Sequence, residues 1–264
     1  MTTALVDALA LEWLKFRHST VGAVATGVLL VAVPGLTIWM VVGSGALRGE
    51  LVDSPLGAKV AALLTTTGGP SLFEAGAEIL SVATTVVVGI VLAWTVGREF
   101  VEGTVTSLFA QPVDRLAVVA AKVAVVLAWG VGCSVVAAGE LALAAVAFGG
   151  GFDGLDGIGW PLARLVTVSI LGVVLALPVA WVATVARSYL GAISALLGLV
   201  VVTQVITTAG VGRWWPWAAP SLWAGMGGPE ARASVGALQL SLVVPVGVAS
   251  LVALHRWWRR LELR

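Results

Sequence analysis

The sequence predicts an all-α integral membrane protein, with six apolar helices crossing the bilayer and a short amphipathic helix ahead of the first. Two properties carry that reading. Of the 264 residues, 59% are hydrophobic and only 11% charged, with a mean hydropathy of +1.04; soluble globular domains carry about a quarter charged residues. The apolar residues are also gathered into runs of membrane length, since a helix needs about 20 of them to cross a hydrocarbon core of about 30 Å. No polar stretch approaches the roughly 50 residues of a small soluble domain. Residues 1–264 therefore read as one transmembrane domain, and chemistry that needs a soluble module has to come from a partner.

The elements follow in order. In residues 1–19, Leu5, Ala8, Leu9, Leu11, Trp13, Leu14 and Phe16 alternate with Asp7, Glu12, Lys15 and Arg17, which suits a helix lying along the inner membrane surface. No short apolar core with a small-residue cleavage site occurs there, so the segment reads as retained. Membrane-length runs then cover about 20–43, 72–96, 117–147, 161–186, 190–210 and 235–254. The third is long enough to tilt or project. The weakest boundary is Arg187-Ser188-Tyr189, barely one turn between the fourth and fifth runs. Residues 148–160 contain a Gly- and Asp-rich stretch that reads as a flexible turn. Residues 211–234, rich in tryptophan and proline, suit a re-entrant or surface-lying element on the outer side.

Lysine and arginine set the orientation. With both termini inside, Lys15, Arg17, Arg98, Arg115, Lys122, Arg187, Arg256, Arg259, Arg260 and Arg264 fall on the inner side, and Arg48, Lys59, Arg164, Arg213 and Arg232 on the outer. Tryptophans agree with this frame, because their rings collect at headgroup depth. Trp94, Trp257 and Trp258 fall at inner ends, and Trp160, Trp214, Trp215, Trp217 and Trp223 at outer ones.

Several chemistries lack their sequence support. There is no Gly-x-x-x-x-Gly-Lys-[Ser/Thr] phosphate cradle, no His-Glu-x-x-His and no Gly-x-Ser-x-Gly elbow. The single cysteine, Cys133, lies in an apolar run, which excludes an internal disulfide and a multi-cysteine metal site. The net charge of +1 gives no sign of a nucleic-acid partner. Ionisable groups inside spans mark function by default. Glu74 and Glu78 share one face near the outer end of the second run, either as a solvated helix entrance or facing a transport path. Glu140, in the outer half of the third run, reads as facing the helix bundle or a dimer axis together with Glu78. Gln204 in the fifth is a weaker candidate, and Lys122 reads as an anchor reaching the inner surface. Gly172 with Ala176, and Gly191 with Ala195, have the spacing that permits close helix crossings.

The inner loop spanning 97–116 carries Arg98-Glu99-Phe100-Val-Glu102-Gly103-Thr104, then Phe109, Pro112 and Arg115. Together with Glu12-Trp13-Leu14-Lys15-Phe16-Arg17 ahead of the first of six spans, this pattern resembles the permease subunits of ABC transporters of the ABC-2 type. The resemblance runs over the whole chain and implies a type V exporter-like half-transporter in a bacterial plasma membrane. It implies a second permease subunit, homodimeric or heterodimeric, and two copies of a separate ABC ATPase that binds ATP and Mg, with no cofactor in this chain. The loop would then be the coupling element that docks on the ATPase. Gly103 permits a turn, Thr104 could cap a short helix toward Phe109, and Pro112 would end it. Exposed Phe100 and Phe109 beside Glu99 and Glu102 would make an apolar anchor with a charged rim. Other classes stay open: a transporter driven by ion gradients with Glu78 and Glu140 as proton carriers, or a toxin-binding immunity or sensor protein.

Overall fold

A computed structural model describes residues 2–43, 69–104, 115–149 and 156–260. Among the described residues there is no strand, and six helices are long and apolar enough to cross a membrane: Thr20–Val42, Gly69–Val101, Arg115–Phe148, Gly157–Ala186, Tyr189–Thr208 and Ala237–Arg260. Each overlaps one expected run. The second span is the hub of the bundle, packing against the first, third, fourth and fifth. At 33 residues it is about 50 Å long, so it outreaches the hydrocarbon core and carries its ends beyond it. The fifth span is the least enclosed, with only Ala192 and Leu196 buried.

Small residues let these helices approach. A Cβ at Gly172 of the fourth span would collide with Thr84 of the second, and one at Gly247 of the sixth would lie 2.8 Å from Val174 of the fourth. The expectation for Gly172 therefore holds. Gly191 and Ala195 are exposed and make no such crossing; a Cβ on Gly191 would meet only its own turn, at Ala186 and Ser188. That turn is tight because Arg187 adopts φ 48° while its N–H returns to the Ala183 carbonyl. Ser188 then caps the next helix through Gly191 N. Left-handed backbone at a helix C-terminus of this kind closes the orphan carbonyls.

The helix Thr2–Arg17 meets the first span at Ser19, whose hydroxyl donates to the Phe16 carbonyl at 2.7 Å and accepts from Gly22 N at 2.9 Å. Its buried residues are Ala8, Glu12 and Phe16, one face at four-residue spacing. Leu5, Val6, Leu11, Trp13 and Leu14 are exposed instead. The charged Glu12 thus faces the protein while leucines and a tryptophan face outward, the reverse of a simple amphipathic pattern. Phe16 stands edge-on to Trp129 of the third span at 5.2 Å, and Trp129 Nε1 donates to Thr26 Oγ1 of the first at 2.9 Å.

Two spans carry internal breaks with identifiable causes. The first span widens into a π-turn at Val28–Ala32, just ahead of Pro34, as expected where a ring replaces an amide donor. In the fourth, Pro178 interrupts the ladder: Ala176 N turns to Val173 O and Val179 N to Ala176 O. The Leu175 carbonyl, freed of Val179, accepts instead from Trp217 Nε1 at 3.1 Å.

Trp258 corrects an expectation. It is 0% exposed and packs edge-to-face on Phe100 at 6.1 Å, so it belongs to the core, whereas its neighbour Trp257 is exposed. The sixth helix runs on past the expected boundary to Arg260, which turns Trp258 back over the bundle.

Backbone contact distinguishes crowded from free glycines. At Gly97 a Cβ would lie 2.6 Å from Tyr189 N and 2.7 Å from its Cα, while Gly198 has nothing within 4 Å. Backbone atoms cannot swing aside as side chains do. Gly97→Ala should therefore destabilise the folded protein by about 1–3 kcal/mol, and Gly198→Ala should be neutral or stabilise by up to about 1 kcal/mol through helix propensity. Thermal melting in detergent micelles distinguishes the two; equal effects would contradict the packing at Gly97.

Candidate functional site: charge clusters at opposite ends of the bundle

At the end of the bundle that carries the N-terminal helix, the inner end by the sequence expectation, the chain brings together residues far apart in sequence. Lys122 Nζ lies 2.7 Å from Glu12 Oε2 and 2.7 Å from Glu99 Oε1. Lys15 Nζ takes the other oxygen of Glu12 at 2.9 Å, and Thr104 Oγ1 donates to the other oxygen of Glu99 at 2.5 Å. All four carboxylate oxygens thus have partners, and two ammonium groups balance two carboxylates. Lys122 is 1% exposed, Glu12 4% and Glu99 5%. Charges so enclosed cost several kcal/mol of desolvation each, recovered only when their hydrogen bonds are complete.

This geometry corrects two expectations. Lys122 does not reach out to the membrane surface; it is the centre of the cluster, because two carboxylates are available to it in the interior. Glu99 and Phe100 do not form an exposed rim and anchor. Glu99 is turned in by Lys122, and Phe100 is half-buried against Trp258. Thr104 closes the end of the second span through Glu99; Phe109 and Pro112 lie outside the described residues. What faces outward here is Val101, Glu102, Gly103 and Thr104, with Gly103 at φ 70°. Arg98 stacks on Trp94 at 4.5 Å, Arg115 is half-buried at the start of the third span, and Trp13 and Arg17 are exposed on the interfacial helix.

The other end is fastened by the segment 211–234, which contains a 3-10 turn at Gly212–Trp214 and short helices at Ala219–Ala224 and Gly228–Ala233. Arg232 bonds Glu74 Oε1 through Nη1 at 3.1 Å and the Ala224 carbonyl through Nη2 at 3.0 Å. Gly225, at φ 137°, makes the approach possible: a Cβ there would stand 2.6 Å from Arg232 Nη2 and 2.7 Å from Glu78 Oε1. Trp215 Nε1 donates to Thr203 Oγ1 of the fifth span at 2.9 Å, and Trp217 reaches Leu175 of the fourth. Sequence reading missed Arg232 as Glu74's partner, 158 positions away.

Glu140 is not brought to Glu78. The charged groups acting on Glu78 are Arg232 and Glu74, whereas Glu140 is half-buried on the third span with its Oε2 enclosed and without a hydrogen-bond partner. One helix turn inward of Glu78, a cavity of about 190 Å³ opens between the second span, the fifth span and the outer segment. Ser81, Thr85, Thr203 and Gln204 line it with Trp217 and Met226, and no lining residue is ionisable. Among the described residues no cluster of His, Cys, Asp or Glu could hold a metal ion.

Among the described residues, six apolar helices without strands, with buried or half-buried ion pairs toward each end and an uncharged cavity, make a multi-pass membrane protein. The chain belongs to the ABC-2 family of transporter proteins, whose family model matches residues 8–205. It is a permease component of an ABC-type transporter, a class that generally works with an ABC ATPase partner and is not itself an enzyme. No curated protein matches it. The matched region takes in the whole Glu12–Lys122–Glu99 cluster and stops short of the outer segment.

Removing one member of the inner cluster leaves buried charge uncompensated. Lys122→Gln should cost about 3–5 kcal/mol, and the triple variant Glu12→Gln, Lys122→Gln, Glu99→Gln should recover most of that loss. Thermal melting of the purified variants checks this. A triple variant no more stable than Lys122→Gln alone would show that the cluster is not balanced as described.

Proposed function

We propose that this permease drives export by pairing with a second permease subunit and taking its power from two copies of a separate ATPase that bind ATP and Mg. Both termini would face the cytoplasm of a bacterial cell, with the chain in the plasma membrane. The observation that carries the reading is the Glu12–Lys122–Glu99 cluster. It joins the interfacial helix, the second span and the third span into one block, and the inner loop leaves directly from that block at Thr104. A push delivered to the loop by a closing ATPase would move three elements together, as rigid-body rocking between inward and outward openings requires.

In this reading the docking surface is centred on the outward-facing Glu102 and Gly103, and Phe109, Pro112 and Arg115, further along the same loop, serve the same contact. Arg98, Glu99, Phe100 and Thr104 position it from within. Glu12 and Lys15 serve the same block from the interfacial helix, while Trp13 and Arg17 hold that helix to the membrane. The path passes the cavity beside Gln204, and Glu78 and Glu74 stand at its outer end with Arg232. Glu140 supplies a carboxylate along the third span. A lining of hydroxyls, one amide and aliphatic chains favours amphipathic cargo.

Reporter fusions after Gly103 and at Arg264 should be internal, and one after Gly227 external; an external Gly103 would sink the reading. Glu102→Lys and Gly103→Val should leave insertion unchanged but abolish stimulation of the co-purified ATPase by the permease. Wild-type ATP hydrolysis and export in both variants would remove the loop from the docking role.

A further inference from the structure

We propose that Arg164, held between Trp160 and Trp223, binds the phosphate of a phospholipid headgroup at the end of the bundle opposite Lys122. The guanidinium stands 5.8 Å from the centre of the Trp160 ring and 5.4 Å from that of Trp223, and the two rings meet edge-to-face at 6.2 Å. Among the described residues the Arg164 side chain makes no hydrogen bond or ion pair, and its Nε is enclosed without a partner. The charges that act on it are Arg232, which repels, and Glu74, whose Oε1 is already taken by Arg232. Among the described residues the Arg164 guanidinium is therefore met at contact distance by ring faces alone, with Glu74 acting only from beyond hydrogen-bond reach. A guanidinium fork suits a phosphate, which it can grip through two parallel hydrogen bonds.

Position selects the source of that phosphate. On the fourth span Trp160, Ala163 and Thr167 form an exposed stripe, while Leu165 and Val168 are buried, so Arg164 sits at the border between bilayer and bundle. Trp160 is 62% exposed near the start of the span, where indole rings settle at headgroup depth. Neither indole N–H is engaged among the described residues, which leaves two further donors at the mouth of the site. A bilayer presents phosphodiesters continuously at that depth. The site does not rest on the export reading, since it requires only that the chain lie in a membrane.

The test uses the full chain purified in detergent, with phosphatidylglycerol, diacylglycerol and inorganic phosphate as separate probes, read by native mass spectrometry and thermal melting. Phosphatidylglycerol should bind and raise the melting temperature of the wild type, and diacylglycerol, which lacks the phosphate, should not. Arg164→Gln should weaken phosphatidylglycerol binding about tenfold, Arg164→Lys less, and Arg259→Gln at the far end not at all. If Arg164→Gln does not fold, Trp160→Leu decides, because its exposed ring can be lost without disturbing the core and its loss should still weaken binding. Undiminished phosphatidylglycerol binding in these variants overturns the site. Equal protection by inorganic phosphate overturns the membrane as its source.

Discussion

A single ammonium group governs the inner half of this protein. Lys122 sits where water hardly reaches, and a charge there persists only if every neighbouring polar atom is matched. Meeting that condition draws in Glu12 from 110 positions away and Glu99 from 23. It also fixes the rotation of the N-terminal helix, for with Glu12 inward, Ala8 and Phe16 must be inward too. Phe16 then reaches Trp129, Trp129 reaches Thr26, and the corner at Ser19 follows. A chain of packing and hydrogen bonds thus descends from one electrostatic demand, and the inner loop inherits its starting point.

The six spans were legible because membrane length and hydropathy are local properties. The clusters at their ends were not, because each charge read alone resembles a surface charge. Glu12 lies in a segment with alternating leucines and lysine, and Glu99 lies beside a loop; nothing nearby in sequence announces that both are buried. One signal was available. Lys122 lies in a run that carries no other charge from Leu116 to Gly139, and a cation there calls for carboxylates on neighbouring elements. Phe100 and Trp258 were misjudged for a related reason: an aromatic at a helix end is interfacial or core according to which helix covers it. Among the glycines, spacing alone could not separate Gly172, which touches another span, from Gly191, which touches only its own turn.

The two ends of the bundle solve the same problem differently. At the Lys122 end, charges are sealed from solvent and balanced among themselves, which ties three helices together. At the opposite end the Glu74–Arg232 pair is half-buried, with side-chain exposures of 18% and 28%, so solvent screens it more than the sealed cluster. Tryptophans do more of the fastening there, by ring packing and by indole hydrogen bonds. The cavity lies beside this less sealed end.

Pro178 gives the fourth span a bend, and a bend usually suggests a free hinge. Here the carbonyl that the bend exposes belongs to Leu175, and its hydrogen bond comes from Trp217 of the outer segment. Straightening the span would offer that carbonyl its own amide again and release the indole; withdrawing the indole would leave the carbonyl orphaned inside the bundle. Curvature of the span and depth of the outer segment are thus one coordinate, and neither can change without the other.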